Sequence, residues 1–237
     1  MDLRAWSIGV VALALTACGE SGDVAEAPAS ETQAGEPAAT ASAEVTGPTR
    51  NILAFGDSLF AGYGIGVENS YPAQLQEALR QRGVNAQIVN AAVSGETSGA
   101  GRQRLAFALD NQQAKPDLVL LELGGNDMLR GLAPEETRAN FEAMLSELQR
   151  RDISVLLMGM RAPPNYGPQY QQAFDSLYSD LAQQYDAELI PFWLESIYLD
   201  PSLFQNDRLH PTREGIAALV EDTVDEVEAA LPPPPQS

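Results

Sequence analysis

Ser58 is the first residue to consider as a nucleophile. It follows the apolar run at residues 52–55, which is too short for a helix and apolar on both faces, as in a buried parallel strand. Gly56 permits a sharp turn at the end of this strand, and ligands of open α/β sheets bind beyond the carboxyl ends of the strands. Ser58 falls at that position. Asp57 and Ser58 are also favoured helix N-cap residues, so a purely structural role stays open at this point.

His210, the only histidine of the chain, is the natural partner for such a serine. Asp207 stands three residues before it, and Pro211 follows it directly. An Asp three residues back along a turn can reach one imidazole nitrogen, which fixes the tautomer and stabilises the imidazolium. The other nitrogen is then free to take a proton from a serine hydroxyl, while Pro211 restricts the backbone of His210. A lone histidine is more often structural than catalytic, but this spacing together with Ser58 favours catalysis.

A serine nucleophile also needs donors that stabilise a developing oxyanion. Backbone N–H groups of glycine turns and Asn side chains are common choices. Gly95 follows the second predicted strand and Asn126 follows the third, so both are expected at the sheet edge that carries Ser58. Taken alone, each of the two motifs, Ser-Gly-Glu and Gly-Gly-Asn-Asp, is also ordinary turn chemistry.

These residues must be positioned by strands that alternate with helices along the chain. The predicted strands are five short apolar segments: residues 52–55, 86–89, 118–123, 153–158 and 188–192. Four of the predicted helices begin after Ser70, at residue 98, at Pro134 and after Pro211. A further predicted helix includes residues 174–181. This alternation requires right-handed crossovers and a parallel sheet that is covered on both faces. We therefore expect an α/β protein, with a three-layer α/β/α fold and five parallel strands.

Four segments of the chain together resemble the SGNH, or GDSL, hydrolase family. They stand in the family's order and spacing, at residues 56–59 (GDSL), 90–95 (NAAVSG), 124–127 (GGND) and 207–210 (DRLH). Residues 121–127 (LELGGND) and 163–167 (PPNYG) are most similar to its periplasmic branch of arylesterases and thioesterase I/lysophospholipases. The resemblance covers about residues 50–231.

The resemblance implies a flavodoxin-like sheet and a serine carboxylic-ester hydrolase that works through an acyl-enzyme. Ser58 would be the nucleophile, His210 the base, and Asp207 the residue that orients the base. The backbone N–H groups of Ser58 and Gly95 and the side chain of Asn126 would hold the oxyanion. Two other hypotheses stay open: a carbohydrate esterase that removes acetyl groups from glycans, and a catalytically inactive, lipid-anchored binding protein.

The loops after the third and fourth strands must share the sheet edge with Ser58. Their apolar side chains predict a pocket for an acyl or aryl group rather than for a sugar. The candidate pocket residues are Met128, Leu129, Leu132, Pro163, Pro164 and Tyr166. The alternative for each of them is that it only packs its own loop. No connection is long enough to form a large lid, so we expect a shallow groove that prefers short to medium acyl chains and aryl esters.

The N-terminal region predicts an exported lipoprotein. Residues 1–17 contain Arg4 and an apolar core of roughly ten residues, which is too short to span a bilayer and is typical of a signal peptide. Residues 15–18 (LTAC) resemble the bacterial lipobox, in which Cys18, the only cysteine, would be lipidated. An ordinary secretory signal is the alternative. Gly19 replaces the Asp that retains lipoproteins at the inner membrane, which by resemblance favours the outer membrane, facing the periplasm.

The regions that flank the predicted hydrolase domain differ from it in composition. Residues 18–50 are rich in Ala, Glu, Pro, Ser and Thr and nearly lack large apolar side chains, so we expect the lipidated Cys18 to be followed by a flexible linker. Residues 51–231 form the predicted hydrolase domain. Residues 232–237 form a short proline-rich tail.

Composition excludes several kinds of partner. The formal net charge is −19, from 14 basic and 33 acidic residues, which disfavours nucleic acid. One cysteine excludes an intrachain disulfide and, with a single histidine, leaves no Cys/His cluster for zinc. We expect no metal and no cofactor, a small-molecule ester as substrate, and membrane contact through the N-terminal lipid anchor.

Overall fold

The structure, a computed structural model, describes residues 45–234. Within this range the chain forms five strands: β1 (Arg50–Gly56), β2 (Ala86–Asn90), β3 (Leu118–Glu122), β4 (Ser154–Met158) and β5 (Glu188–Ile190). They form one sheet in the order β2-β1-β3-β4-β5, and all neighbouring strands are parallel. The predicted five-stranded parallel sheet is therefore confirmed.

Seven α-helices accompany the sheet between residues 45 and 234. They are α1 (Ser58–Ala61), α2 (Tyr71–Gln81), α3 (Ser98–Asp110), α4 (Gly125–Leu129), α5 (Pro134–Arg150), α6 (Pro168–Tyr185) and α7 (Arg213–Ala230). Helices α2 and α7 pack against each other, while α3, α5 and α6 form a second packed group. The sheet lies between these two helical layers, as the predicted three-layer α/β/α fold requires.

The central strands are buried because helices cover the sheet on both faces. Residues 52–55 of β1 are at most 2% exposed, and residues 118–121 of β3 are completely buried. This explains why their sequences are continuously apolar instead of alternating. Truncation of one such leucine to alanine would cost about 2–5 kcal/mol of unfolding free energy.

Several boundaries differ from the sequence prediction for local reasons. Strand β5 ends at Ile190 instead of residue 192, because Pro191 has no N–H group to donate to a neighbouring strand. Helices α1 and α4 have four and five residues, too few to produce a helical periodicity in the sequence. Ser70 precedes α2 as predicted, but its hydroxyl donates to the Val67 carbonyl (2.6 Å) instead of capping the helix.

The strand order places three functional loops side by side. Strand β2 lies on one side of β1 and β3 on the other, so the chain changes direction here, and such a switch point is where ligands bind in open α/β sheets. Gly56 at the end of β1 is in register with Glu122 at the end of β3. The loops that leave β1, β2 and β3 carry Ser58, Gly95 and Asn126, respectively.

Some predictions concern positions beyond the described range. The signal peptide (1–17), Cys18, most of the linker (18–50) and residues 235–237 of the tail lie outside the described residues.

At the start of β1, the Arg50 guanidinium donates to the Pro232 carbonyl (2.5 Å), so the first residue of the tail contacts the domain. In the part of the chain that the structure describes, no helix combines the length and the apolar character needed to cross a membrane.

Candidate active site

Ser58 is the first residue of α1, and Asp57 is its N-cap. The Asp57 carboxylate accepts a hydrogen bond from the Leu59 N–H (3.0 Å). The capping role considered for the Asp-Ser pair therefore belongs to Asp57, and the Ser58 side chain takes no part in it. Ser58 is half-buried, and its hydroxyl faces the loop that carries His210.

Ser58, His210 and Asp207 form a continuous line of hydrogen bonds. Ser58 Oγ lies 2.9 Å from His210 Nε2, and His210 Nδ1 lies 2.7 Å from Asp207 Oδ2. Because a carboxylate only accepts hydrogen bonds, Nδ1 carries the proton of the neutral imidazole and Nε2 is left to accept from the serine hydroxyl. This arrangement can transfer a proton from the serine to the imidazole as the serine attacks an electrophile.

The loop that carries Asp207 and His210 is held by its own backbone. The His210 carbonyl accepts from the Gln205 N–H (2.7 Å), and Phe204 and Pro211 form an antiparallel bridge. Arg208 adopts a left-handed conformation with φ of 61°, which costs free energy for a non-glycine residue. These backbone contacts fix the position of the loop on either side of His210.

The charge of Asp207 is stabilised within this loop. Partial desolvation raises the pKa of its carboxyl, but hydrogen bonds from the His210 ring and from the backbone N–H groups of Leu209 and His210 outweigh it and lower the pKa to about 2. Asp207 is thus an anion at any pH at which an imidazole is neutral, and it can stabilise the imidazolium that forms when His210 takes a proton.

The residues that carry the three candidate oxyanion donors, Ser58, Gly95 and Asn126, line one cavity. The backbone N–H groups of Ser58 and Gly95 donate to no acceptor among the described residues, and Gly95 has a φ of 79°, which favours glycine. Asn126 Nδ2 donates to Asp57 Oδ2 (2.7 Å) and to the Glu96 carbonyl (3.1 Å). These contacts orient the Asn126 amide towards the turn that carries the serine.

Asn126 of helix α4 and Arg130, which follows the helix, bind the Gly95 loop at two successive carbonyls. Asn126, near the start of α4, contacts the Glu96 carbonyl, and Arg130, directly after its end, donates to the Gly95 carbonyl (2.8 Å). The Glu96 side chain is held in turn by Arg104, with N···O distances of 2.8 and 2.5 Å. Arg130 was not predicted from the sequence, since nothing local links it to a loop 35 residues earlier.

Ser58 and His210 line a cavity of about 690 Å³ that is bordered mostly by apolar side chains. Asp57, Gly95 and Asn126 also line it, so the nucleophile candidate and the oxyanion donors share one space. Among residues 45–234, no group of three or more His, Cys, Asp or Glu side chains is arranged to hold a metal ion. The expectation of no metal and no cofactor stays a prediction.

Comparison with known proteins identifies the family. The model of the GDSL-like lipase/acylhydrolase family matches residues 54–218. The chain belongs to this family. It is 38% identical to an arylesterase of Vibrio mimicus over 179 residues, which cover 76% of this chain and 88% of the relative. It is 40% identical to thioesterase 1/protease 1/lysophospholipase L1 of Escherichia coli (strain K12) over 163 residues, 69% of this chain and 76% of the relative.

Solved structures agree with this assignment. The crystal structure of AlinE4, an esterase of the SGNH-hydrolase family, has a TM-score of 0.67 and 57% sequence identity, and it covers 79% of this chain and 99% of its own. The structure of TesA has a TM-score of 0.72 at 36% identity, covering 77% of this chain and 100% of its own. Membership of the SGNH/GDSL family makes the chain a carboxylic ester hydrolase.

The cavity includes only part of the pocket predicted for this hydrolase. Met128, Leu129 and Pro163 line it. Leu132 and Tyr166 instead contact Tyr170, which donates its hydroxyl to the Leu132 carbonyl (3.1 Å) and packs its ring against Tyr166 with centroids 5.1 Å apart. Pro164 is exposed at the start of a 3₁₀ turn. Of these three residues, Tyr166 packs on a ring of α6, Leu132 is engaged through its backbone carbonyl, and Pro164 is exposed, so none of them lines the cavity.

A second wall of the cavity was missed by sequence reasoning. It is formed by the segment between β5 and the His210 loop, through Phe192, Leu194, Tyr198, Pro201, Phe204 and Leu209. Tyr63, from the loop after α1, also lines the cavity and packs on the His210 ring with centroids 4.3 Å apart. Its position in the sequence could have predicted this wall, because the segment follows the carboxyl end of a parallel strand and is rich in apolar and aromatic residues.

Proposed function

We propose that this hydrolase cleaves its ester in two steps, with Ser58 as the nucleophile. His210 Nε2 takes the Ser58 proton as Oγ attacks the carbonyl carbon, and Asp207 stabilises the resulting imidazolium. The imidazolium then gives its proton to the leaving alcohol or phenol, which departs and leaves an acyl-serine. Water, deprotonated by His210, attacks the acyl-serine, and the imidazolium returns the proton to Ser58 Oγ as the carboxylic acid is released. The observation that carries the proposal is the Ser58–His210–Asp207 hydrogen-bond line within the apolar cavity.

Three donors stabilise the tetrahedral oxyanion in this proposal. They are the backbone N–H groups of Ser58 and Gly95 and the Asn126 side-chain amide. The support is that both backbone groups are unengaged among the described residues. The Asn126 amide lies beside the serine turn and donates both of its hydrogens there, so it exchanges one of these bonds, to Asp57 Oδ2 or to the Glu96 carbonyl, for a bond to the oxyanion. Removal of one such donor from an oxyanion hole commonly lowers kcat by about 10²–10³-fold.

The preferred substrates in this proposal are short to medium acyl esters and aryl esters. A volume of about 690 Å³ lies within the range of small-molecule pockets, which is roughly 300–1,000 Å³. The Met, Leu, Phe, Tyr and Pro side chains that line it suit an apolar acyl chain or an aromatic leaving group better than a sugar. Thioester and lysophospholipid hydrolysis, named for the Escherichia coli relative, are further candidate activities of the same site.

An active-site probe tests the proposed nucleophile. A fluorophosphonate should label the wild-type chain and should leave Ser58→Ala unlabelled, because the phosphonyl group bonds only to the activated Oγ. The same substitution should lower kcat for p-nitrophenyl butyrate by about 10³-fold or more. Wild-type turnover by a folded Ser58→Ala variant would refute the assignment.

A substrate series tests the proposed acyl preference. We expect kcat/KM to be higher for p-nitrophenyl acetate, butyrate and octanoate than for the palmitate, because no connection in the sequence is long enough to form a lid over so long a chain. Acetylated xylan serves as the comparison substrate for a carbohydrate esterase. A clear preference for release of acetate from the xylan would reject the apolar-cavity argument and favour that activity.

The proposal includes the cellular location of the enzyme. The signal-like residues 1–17 and the lipobox-like residues 15–18 support export and lipidation at Cys18. Anchoring to the outer membrane on its periplasmic side agrees with Gly19 after the cysteine. A linker of about 31 residues would have an r.m.s. reach of roughly 30 Å, which leaves the hydrolase domain free to meet small esters.

A further inference from the structure

Glu122 is a buried carboxyl beneath the turn that carries Ser58, and the proposed mechanism does not use it. It ends β3, is completely buried (0% exposed) and is in register with Gly56. Its Oε2 accepts a hydrogen bond from the Asp57 backbone N–H (3.1 Å). A Cβ atom on Gly56 would lie 2.7 Å from Glu122 Oε2 and 2.7 Å from the Glu122 carbonyl oxygen. Gly56 is thus the residue that lets the turn lie directly on this carboxyl.

Asp57 links that turn to one of the proposed oxyanion donors. Its Oδ1 accepts from the Leu59 N–H (3.0 Å) and its Oδ2 accepts from Asn126 Nδ2 (2.7 Å). Because both oxygens accept from N–H donors, this geometry suits a carboxylate anion. A shift of the Asp57 backbone would move the Ser58 N–H and release the Asn126 amide at the same time.

Glu122 itself is surrounded by groups that disfavour its ionisation. Its Oε1 has no hydrogen-bond partner within the described part of the chain. The ionisable group that acts on Glu122 is Asp57, and Glu122 in turn helps to raise the pKa of the neighbouring Tyr178 hydroxyl. Burial, followed by the charge of Asp57, raises the pKa of Glu122 well above its ordinary value. The Tyr178 hydroxyl is neutral, and it donates its hydrogen to the Leu123 carbonyl (2.9 Å). It therefore does not stabilise a negative charge on Glu122.

The two neighbouring carboxyls cannot both be ionised at low cost in this environment. Burial raises the pKa of Asp57 as well, but the Asp57 carboxylate accepts hydrogen bonds on both oxygens, from the Leu59 N–H and from Asn126 Nδ2, whereas the Glu122 carboxyl accepts on Oε2 alone. Asp57 therefore keeps the negative charge, and Glu122 keeps the proton.

We propose that Glu122 is a positioning residue: as a neutral carboxylic acid, it holds the Asp57 backbone so that the Ser58 N–H and the Asn126 amide face the same oxyanion. A neutral acceptor suffices for this role, and a second negative charge would compete with Asp57 for the donors around it. The inference rests on the proposed role of Ser58 as nucleophile.

The kinetic test compares Glu122→Gln with Glu122→Leu. Glutamine keeps an acceptor oxygen and stays neutral, so kcat for p-nitrophenyl butyrate should remain within about threefold of wild type. Leucine has a similar volume but no acceptor, so kcat should fall by about 10- to 100-fold while KM changes by less than about threefold, because the lost contact acts on the transition state. Thermal unfolding of each variant establishes that it is folded.

Two kinetic outcomes would overturn the proposal. An equal loss of kcat in Glu122→Gln and Glu122→Leu would mean that glutamine cannot replace the acid, so that the role is not that of a neutral acceptor. Wild-type kcat in a folded Glu122→Leu variant would mean that the contact to Asp57 does not position the turn. If the leucine variant does not fold, the glutamine variant and the spectroscopic test decide the question.

Infrared spectroscopy tests the protonation state without turnover. Near pH 7 the wild-type enzyme should show the carbonyl stretch of a protonated carboxylic acid, and Glu122→Gln should lack it. Asp127→Asn is a matched control, because Asp127 is the other fully buried carboxyl near this strand end and accepts hydrogen bonds from Ser98 and Thr137; the band should persist there. A wild-type spectrum without the band would refute the neutral acid.

The infrared result is independent of the nucleophile assignment. If Ser58→Ala retained activity, the proposed function would fail while the Glu122 band could still be present. If Ser58→Ala were inactive and the band were absent, the proposed function would stand and the inference on Glu122 would fail.

Discussion

Asp207 and Ser58 occupy different environments, and this difference predicts different responses to substitution. Ser58 is half-buried beside the cavity, whereas the Asp207 side chain is 38% exposed. Water can therefore replace part of the Asp207 interaction with the His210 ring, although it cannot replace a nucleophile.

Asp207→Ala should accordingly be the milder variant. We expect kcat to fall by about 10- to 100-fold, against about 10³-fold or more for His210→Ala, because the imidazole loses its orienting anion but keeps its basic nitrogen. The measurement is kcat for p-nitrophenyl butyrate, with fluorophosphonate labelling rates as a second readout. A loss in Asp207→Ala as large as that in His210→Ala would contradict this reasoning.

The pH profile of activity should contain no ionisation of Asp207 in the neutral range. The pKa of Asp207 is lowered to about 2 in the folded chain, against an ordinary value near 3.9. Its contribution to stability is therefore complete above about pH 4 and is lost as pH falls towards 2. Between pH 4 and 9 the charge of Asp207 is constant, so a plot of kcat/KM for an uncharged ester against pH should show no step from this carboxyl. An acidic limb steeper than a one-proton curve would mean that a carboxyl also titrates in the active range.

The short helix α4 connects two parts of the proposed oxyanion hole. Its first turn carries Asn126, and the residue after its end, Arg130, holds the Gly95 carbonyl. The position of the Gly95 N–H therefore depends on a side chain that is itself exposed to solvent.

Arg130→Ala should lower kcat by about 3- to 10-fold with little change in KM for p-nitrophenyl acetate. The reason is that a looser Gly95 loop weakens oxyanion stabilisation more than ground-state binding. Arg138→Ala is the matched control, since Arg138 is an arginine of α5 that pairs with Asp180 (2.6 Å) and does not line the cavity. Equal effects of the two substitutions would point to surface charge instead of loop position.

The segment between β5 and His210 forms a wall that should sense acyl length. Tyr198 lines the cavity and packs edge-on against Phe192 with centroids 5.1 Å apart. Tyr198→Ala should therefore reduce kcat/KM for p-nitrophenyl octanoate several-fold more than for the acetate, because only the longer chain reaches this wall. A uniform reduction across both esters would indicate a disturbed fold or a disturbed His210 loop.

The molecule as a whole combines a strongly acidic chain with a predicted lipid anchor. A net charge of −19 gives no electrostatic attraction to anionic lipid, so membrane association should depend on lipidation. A single acyl chain binds a bilayer only marginally, whereas a cysteine that carries a diacylglycerol and an amide-linked chain is held firmly.

Cys18→Ser should abolish both lipid labelling and membrane partitioning while leaving esterase activity unchanged. The measurement is metabolic labelling with a palmitate analogue, followed by fractionation and an activity assay of each fraction. Absence of label in the wild-type chain would favour an ordinary secreted or periplasmic enzyme.

The sequence by itself determined the features that depend on neighbouring residues. Continuous apolar runs, such as residues 118–121, predict central parallel strands, because helices cover both faces of such strands and bury every side chain. Asp207 and His210 are three residues apart, so one turn suffices to join them. The side of the sheet on which Ser58, Gly95 and Asn126 lie follows from the rule that parallel strands share their carboxyl ends.

The tertiary structure decided which distant residues meet. Arg130 reaches a carbonyl 35 residues away, Glu122 supports a turn 65 residues away, and the segment from Phe192 to Leu209 closes the cavity. Leu132 and Tyr166 share the predicted edge of the sheet, yet neither lines the cavity: Tyr166 packs on the Tyr170 ring, and the Leu132 carbonyl accepts from the Tyr170 hydroxyl. Strand order and loop direction are set by packing between residues that are far apart in the sequence. Neither the periodicity nor the local spacing of residues contains this information.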